Sequence, residues 1–211
     1  MPQTIRRLAA IDIGTNSFHL VIADVKANGK FTVLSKDKEV VRLGEGMTDM
    51  KHLSASAIER AMNTLHRFMQ LAQSMDAPVR AVATSAVREA LNQEALIERA
   101  RGELGLEIEV VSGFEEARLI YLGVMQALPV YQKSVLLTDI GGGSTEFLVG
   151  RQGAVQYVNS LKIGAVRLSR RYFGGGTIKP RAVEECRAYL AGALNPIARA
   201  VKDRPFDIAI G

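Results

Sequence analysis

The sequence has no tryptophan, only one cysteine and no long apolar run, and each of these absences narrows the range of functions. No stretch of about 18 uncharged apolar residues occurs, so we expect neither a transmembrane helix nor a membrane partner. The lone Cys186 has no partner for an internal disulfide, which favours the reducing cytoplasm. Aromatic residues make up 6% and form no stripe with basic residues, so we expect no nucleic-acid partner.

The charges that are present lie unevenly along the chain. Residues 1–120 carry 15 basic and 16 acidic side chains, whereas residues 121–211 carry 12 and 6, so the positive excess behind the net charge of +5 lies in the second segment. A polyanionic ligand would be attracted to that half. Charge alone is more typical of a solubilising surface, so the case for a polyanionic ligand depends on motifs.

Two segments 127 residues apart are nearly the same. Residues 9–17 read AAIDIGTNS and residues 136–145 read LLTDIGGGST. Each is an apolar run that ends in Asp-Ile-Gly and continues into small residues, which predicts a strand, a tight turn and a second strand. Each turn offers backbone N–H groups and one carboxylate, so two facing turns would hold a phosphate chain with a metal ion between them.

The elements predicted around these turns also occur twice. Antiparallel strands are followed by helices alternating with single strands, and the order then restarts. We therefore predict an α/β chain with domains at 1–123 and 124–211. The second is expected to be incomplete, because an apolar strand over 206–210 ends the sequence. A Ser-x-x-Glu capping box at Ser56 and Glu59 predicts the start of the first long helix, and Cys186 is expected in the core on a helix.

Five motifs in order give a resemblance that covers essentially the whole chain. They are residues 11–17 (IDIGTNS), 83–88 (ATSAVR), 112–118 (SGFEEAR), 139–146 (DIGGGSTE) and 162–167 (KIGAVR). Together they resemble the exopolyphosphatase and guanosine pentaphosphate phosphohydrolase (Ppx/GppA) family of the actin-like ATPase (ASKHA) superfamily. The resemblance implies two similar ribonuclease-H-like, actin-like subdomains with mixed sheets and a cleft between them.

The first turn is a candidate phosphate and metal site. Gly14 lets an oxygen approach the backbone, and successive amides can point at one phosphate. Asp12, at the strand end, is placed to hold a cation or its water. A plain hairpin with an Asx turn is the alternative. The phosphate-binding residues predicted here are Gly14, Thr15, Asn16 and Ser17.

The second turn has more glycine than a plain hairpin needs. Three glycines cost backbone entropy, which favours a ligand passing over the backbone instead of a Gly-rich connector. Asp139 and Glu146 stand seven residues apart across the turn, so their carboxylates can flank a phosphate, and the resemblance implies functional acids at both positions. Asp139 is also a predicted metal ligand. The phosphate-binding residues predicted here are Gly141, Gly142, Gly143, Ser144 and Thr145.

Two further groups complete the predicted site. Glu115 and Glu116 open a helix, where acids favour the helix dipole, and the resemblance implies that Glu116 is the catalytic base. The residues leave Glu146 open as an alternative base. Arg88 can grip phosphate oxygens with its planar guanidinium, or it forms a surface ion pair with Glu89 or Glu94.

A basic cluster follows the strand after the glycine turn. Its members could follow a chain of phosphates, or they could be a solvated helix face, and the sequence does not separate these interpretations. The cluster comprises Lys162, Arg167, Arg170 and Arg171. The three histidines (His19, His52 and His66) have no spacing typical of a metal site and are expected to be structural.

These residues predict Mg²⁺-assisted hydrolysis of phosphoanhydride bonds. The expected substrate is inorganic polyphosphate or guanosine pentaphosphate, and the sequence does not separate the two. The alternatives are an ATP-binding actin-like or chaperone-like conformational protein, a sugar-kinase-like phosphotransferase, or a fragment that binds without catalysis. A homodimer is possible on this evidence.

Overall fold

The computed structural model describes residues 5–45, 51–174 and 177–211. It divides into two compact units, Met1–Val111 and Ser112–Gly211. Both contain a mixed sheet with helices, which confirms the predicted α/β class with two units of similar topology.

The first unit is a five-stranded mixed sheet with three helices. The order in the sheet is β3-β2-β1-β4-β5, in which β1, β2 and β3 are antiparallel and β4 and β5 run parallel to β1. Its elements are β1 (Ile5–Ile13), β2 (Ser17–Lys26), β3 (Phe31–Val40), α1 (Ala55–Ser74), β4 (Val79–Ala83), α2 (Ser85–Glu89), α3 (Glu94–Leu104) and β5 (Ile108–Val110).

One face of this sheet is apolar because alternate residues of a strand point to the same side. Ile11, Ile13 and Phe18 are buried in one core with the apolar stripe of α1. The alternate positions Asp12 and His19 are exposed. The carboxylate predicted to hold a metal therefore lies on the face opposite the core.

The start of α1 corrects the predicted capping box. The N-cap is Ser54, whose Oγ accepts a hydrogen bond from the Ala57 N–H at 3.2 Å. Ser56 already lies inside the helix, and Glu59 forms an ion pair with Arg99 instead of reaching back to the cap. Ser54 can act as the cap because its backbone is extended and it precedes the first helical turn.

The second unit repeats the arrangement with a four-stranded sheet in the order β8-β7-β6-β9. The strands β6, β7 and β8 are antiparallel, and β9 runs parallel to β6. Its elements are α4 (Gly113–Ala127), β6 (Ser134–Ile140), β7 (Thr145–Arg151), β8 (Ala154–Leu161), α5 (Ala165–Phe173), α6 (Pro180–Lys202) and β9 (Ile208–Ile210).

Helices cover both faces of the second sheet. On one face Ala117 and Tyr121 of α4 pack with Leu137 and Leu148. On the other face Phe147 shares a cluster with residues of α5 and α6. Because α4 contacts β6, β7 and β8, it belongs to the second unit, although the boundary expected from the sequence at 123/124 divides it between the two.

Two simpler expectations can be compared with the described residues. Cys186 is a free, buried side chain on α6, as predicted. In the described part of the chain, no helix combines the length and the apolar character that crossing a membrane requires.

Candidate functional site

The two duplicated turns have the same backbone geometry. The Gly14 N–H donates to the Ser17 carbonyl at 3.2 Å, and the Gly141 N–H donates to the Ser144 carbonyl at 3.0 Å. A Cβ added to Gly14 would lie 2.7 Å from the Ser17 carbonyl oxygen, so this turn excludes a side chain there. The predicted strand, turn and strand are therefore confirmed in both copies.

The carbonyls of the second turn are held from one side by the start of α5. The Gly141 carbonyl accepts from the Ala165 N–H, and the Gly142 carbonyl accepts from the N–H groups of Val166 and Arg167, at 2.9 to 3.2 Å. Within the described chain, no backbone carbonyl accepts from the amides of Gly142, Gly143 or Ser144. Successive amides of this kind form a site for an anion.

A row of polar side chains crosses the second sheet beside this turn. Asp139 on β6 lies directly opposite Glu146 on β7, and Glu146 lies directly opposite Ser160 on β8. Directly opposed residues share a face of the sheet and have Cβ atoms about 5 Å apart. Two carboxylates in this relation destabilise a sheet, which is typical of a functional site.

Glu146 is the most perturbed group of this row. Its side chain is completely buried; the Ser160 hydroxyl donates to Oε1 at 2.7 Å, and Oε2 has no hydrogen-bond partner in the described chain. Burial and then the charge of Glu116 raise its pKa to about 7, with a smaller contribution from Asp139 and against the opposing effect of the Ser160 and Ser144 hydroxyls. Burial also raises the pKa of Asp139.

The start of α4 separates the roles of its two adjacent acids. The Ser112 hydroxyl caps the helix by accepting from the Glu115 N–H at 3.1 Å. Glu115 then forms a two-pronged ion pair with Arg118, which lowers the pKa of Glu115. Glu116 is half-buried, and its charge acts on Glu146. The fold therefore brings together the three predicted acids Glu116, Asp139 and Glu146.

The first turn provides a more exposed set of groups. Asp12 and Asn16 are exposed, whereas Thr15 is buried. The Thr15 and Asn16 carbonyls accept from the Gly44 and Arg42 N–H groups at 3.1 and 2.8 Å. As in the second turn, the carbonyl side is therefore held by the chain that follows the third strand.

Arg88 and Arg167 have backbone partners that the sequence did not predict, and Arg171 has an aromatic one. Arg88 is half-buried on α2, and its Nη1 donates to the Val111 carbonyl at 2.8 Å. Arg167 is half-buried, and its Nε donates to the Gly143 carbonyl at 2.8 Å. Arg171 stacks over the Tyr189 ring at 4.3 Å from its centroid. The cluster is thus divided among different environments.

Two contributors were missed at the level of sequence. Ser160 had no distinguishing signal, because its role depends on strand register. Gly164 stood in a motif, and the structure supplies the reason: a Cβ there would lie 2.4 Å from the Gly142 carbonyl carbon. Among the described residues, no group of three or more His, Cys, Asp or Glu side chains is arranged to hold a metal ion by itself.

The duplicated sheet with a glycine turn beside carboxylates defines the class of protein: the fold is actin-like. At the level of the fold alone, the chain is similar to the ethanolamine utilization protein EutJ from Carboxydothermus hydrogenoformans. The identity is 16% and the TM-score is 0.53, over 100% of this chain and 78% of the other.

The particular family follows from closer matches. Residues 21–209 match the Ppx/GppA phosphatase family, and the chain belongs to it. It is similar to an exopolyphosphatase from Cytophaga hutchinsonii, with 34% identity and a TM-score of 0.91 over 98% of this chain and 66% of that one. It is also similar to the Aquifex aeolicus PPX-GPPA enzyme, with 33% identity and a TM-score of 0.78 over 99% and 68%. The chain therefore spans about two thirds of the length of these relatives.

Proposed function

We propose that this protein hydrolyses phosphoanhydride bonds and releases the terminal phosphate of inorganic polyphosphate or guanosine pentaphosphate. One observation carries the proposal: Glu116, Asp139 and Glu146 lie close enough for their charges to interact, beside a glycine turn whose amides can donate to an anion. Membership of a phosphatase family supports it, as does the similarity to a protein described as an exopolyphosphatase.

The terminal phosphoryl group is bound by the glycine turn in this proposal. The amides of Gly142, Gly143 and Ser144 donate to its oxygens. They are available for this because no backbone carbonyl accepts from them in the described chain. Gly14, Thr15, Asn16 and Ser17 bind phosphate in the same way in the first turn. Arg88 adds charge-assisted hydrogen bonds to phosphate oxygens.

Hydrolysis then requires a water aligned with the terminal phosphorus. In the proposed step the water oxygen bonds to the terminal phosphorus and the bridging P–O bond breaks. The shortened chain leaves with the bridging oxygen and the electron pair of that bond, and the terminal phosphorus becomes inorganic phosphate. Glu116 accepts the proton of the water. Glu146 is the second candidate for this role, because a pKa of about 7 lets it take and return a proton near neutral pH.

The residues present are chemically suited to Mg²⁺. A hard cation prefers carboxylate oxygens and keeps sites for phosphate and water, and the buried Oε2 of Glu146 has no hydrogen-bond partner in the described chain. We propose that Asp139 is the cation ligand beside the second turn, and that Asp12 is the corresponding cation ligand beside the first turn. When bound, Mg²⁺ neutralises charge on the phosphate oxygens.

The test is the release of phosphate from polyphosphate, guanosine pentaphosphate and ATP in parallel, with Mg²⁺ and with EDTA. We expect release from polyphosphate or guanosine pentaphosphate that depends on Mg²⁺, and little from ATP. Equal release with EDTA would remove the metal from the proposal. Binding of ATP by calorimetry, without release from the other two substrates, would favour a nucleotide-dependent conformational protein and overturn the hydrolase.

A further inference from the structure

The glycine turn is held in place by the start of α5. A run of three glycines has more conformational freedom than any other tripeptide, so its binding geometry must be imposed from outside. Ala165, Val166 and Arg167 donate their backbone amides to the Gly141 and Gly142 carbonyls. The Gly143 carbonyl receives a longer bond of 3.3 Å from the Gly164 N–H.

Arg167 supplies the short bond that Gly143 otherwise lacks. Its Nε donates to the Gly143 carbonyl at 2.8 Å, and the side chain is half-buried. A hydrogen bond from a guanidinium is stronger than one between neutral groups. Because the Gly143 carbonyl and the Ser144 N–H belong to one planar peptide, a bond that fixes the carbonyl also fixes the direction of that amide.

We infer that Arg167 is a positioning residue that acts through the Gly143 carbonyl to aim the amides of the glycine turn at phosphate. This inference rests on the proposed function and adds a residue to its site. It replaces the idea that Arg167 belongs to a row of charges that follows a long polyanion.

The first turn carries an independent counterpart of this arrangement. The chain after β3 donates the Arg42 and Gly44 amides to the carbonyls of Asn16 and Thr15. Both turns are therefore braced on the carbonyl side by the chain that follows the third strand. The two units differ in where a guanidinium acts. In the second, Arg167 donates directly to a carbonyl of the turn. In the first, Arg60 donates to the carbonyls of Val41 and Arg42 in the bracing segment.

A matched pair of variants isolates the hydrogen bond from the charge. In Arg167→Gln the amide nitrogen stands the same number of bonds from Cα as the arginine Nε, so it can donate without carrying charge. Arg167→Met places a methyl group at that position. Arg171→Met on the same helix removes an equal charge that stacks on Tyr189 and makes no hydrogen bond to the turn.

The measurement is kcat and KM for phosphate release from tripolyphosphate and from long polyphosphate, on the full chain. We expect Arg167→Met to lower kcat/KM about ten-fold or more, as loss of a charge-assisted bond implies. The factor should be the same for both substrates. Arg167→Gln should recover most of the loss, and Arg171→Met should change the value less than three-fold, by the small size of exposed charge effects.

The outcomes separate this inference from the proposed function. A wild-type chain that releases no phosphate from these two substrates or from guanosine pentaphosphate defeats the proposed function and this inference with it. An active wild type with equal losses in Arg167→Gln and Arg167→Met defeats the inference alone. So does a loss confined to the long substrate, because that result identifies a charge that follows the chain. Thermal unfolding of both variants identifies any loss that comes from misfolding.

Discussion

The two units share the order of four strands and the same turn, but the rows of side chains beside their turns differ. In the first unit the row runs Asp12, His19, Lys38, with mixed charges and all three side chains exposed. In the second it runs Asp139, Glu146, Ser160, with two acids opposed and one completely buried. The two units therefore share a backbone arrangement, whereas the side chains of the two rows differ.

The difference arises from what covers each row. In the second unit the row shares its sheet face with Leu137 and Leu148, which pack under α4, and α4 also brings Glu116 to the acids. In the first unit the core with α1 lies on the other face, and the row is left exposed. The comparison teaches that a helix packed across the row, here α4, buries its acids and raises the pKa of Glu146.

The largest expected effect comes from removing the carboxylate of Glu116, which α4 places beside the two acids of the second sheet. Glu116→Gln keeps the size of the side chain but cannot accept the proton of the water, so we expect phosphate release to fall by about 10²- to 10⁴-fold. Binding of polyphosphate, measured by calorimetry, should be largely retained. Glu115→Gln is the control, because Glu115 is paired with Arg118. Unchanged turnover in Glu116→Gln would exclude this residue from the mechanism.

The next effect concerns Glu146, whose contribution to folding stability depends on pH. The pKa of Glu146 is raised from 4.5 to about 7 in the folded chain. Below pH 4.5 both folded and unfolded chains hold the proton. As the pH rises toward 7, only the unfolded chain releases this proton. The free energy of unfolding therefore falls by up to about 3 kcal/mol. Glu146→Gln should therefore be more stable than wild type at pH 8 and similar at pH 4.

Denaturant unfolding at these two pH values measures the difference. His19→Gln at the matching position of the first unit is the control at pH 8. Burial and Lys38 lower the pKa of His19 from 6.5, so its ring is neutral at pH 8 in both the folded and the unfolded chain. This variant should therefore show no gain in stability from the loss of a buried charge at pH 8. Equal stability of Glu146→Gln and wild type at pH 8 would show that the folded chain already compensates the buried charge.

A third effect tests the contact that holds the covering helix in place. A Cβ at Gly150 would lie 2.7 Å from Cζ of the buried Tyr121 on α4. It would also lie 3.0 Å from the backbone oxygen of Ala154, so it has little room to shift away from the ring. Gly150→Ala should destabilise the chain by about 1–3 kcal/mol through overpacking. Gly123→Ala on the same helix meets no atom within 4 Å and should be neutral or stabilising. Thermal unfolding that ranks the two variants equally would contradict the packing argument.

The smallest effect compares the helix caps of the two units. Ser112 caps α4 and Ser54 caps α1 through the same type of bond. Replacing either serine with alanine should cost about 1 kcal/mol of folding stability. Only Ser112→Ala should also reduce phosphate release, because α4 positions Glu116 in its first turn. Equal activity of the two variants would show that the cap does not align this acid.

Much of the fold was predictable because it depends on local patterns. The repeated Asp-Ile-Gly segments predicted both hairpins, and apolar spacing predicted the long helices, within a few residues at their ends. The capping box at Ser56 was wrong because two serines compete for the cap and backbone conformation decides between them. The short helix α2 was not predicted, since five residues give too little periodicity.

The candidate site was predictable in its acids but not in their surroundings. Motif positions identified Asp139, Glu146 and Glu116 before any geometry. Ser160 was missed because strand register, and not spacing in the chain, places it opposite Glu146. The same limit applies to Arg167, which the sequence grouped by charge and the fold connects to a carbonyl.

The sequence by itself determined that the chain has two strand-turn-strand segments rich in small residues, because alternation and glycine act on neighbouring residues. It also determined which acids stand beside the turns. Only the tertiary structure decided that one row of side chains is buried and the other exposed, because burial depends on a helix packed across the sheet from elsewhere in the chain. The raised pKa of Glu146 follows from that packing, since desolvation and the charge of Glu116 exist only once α4 is in place.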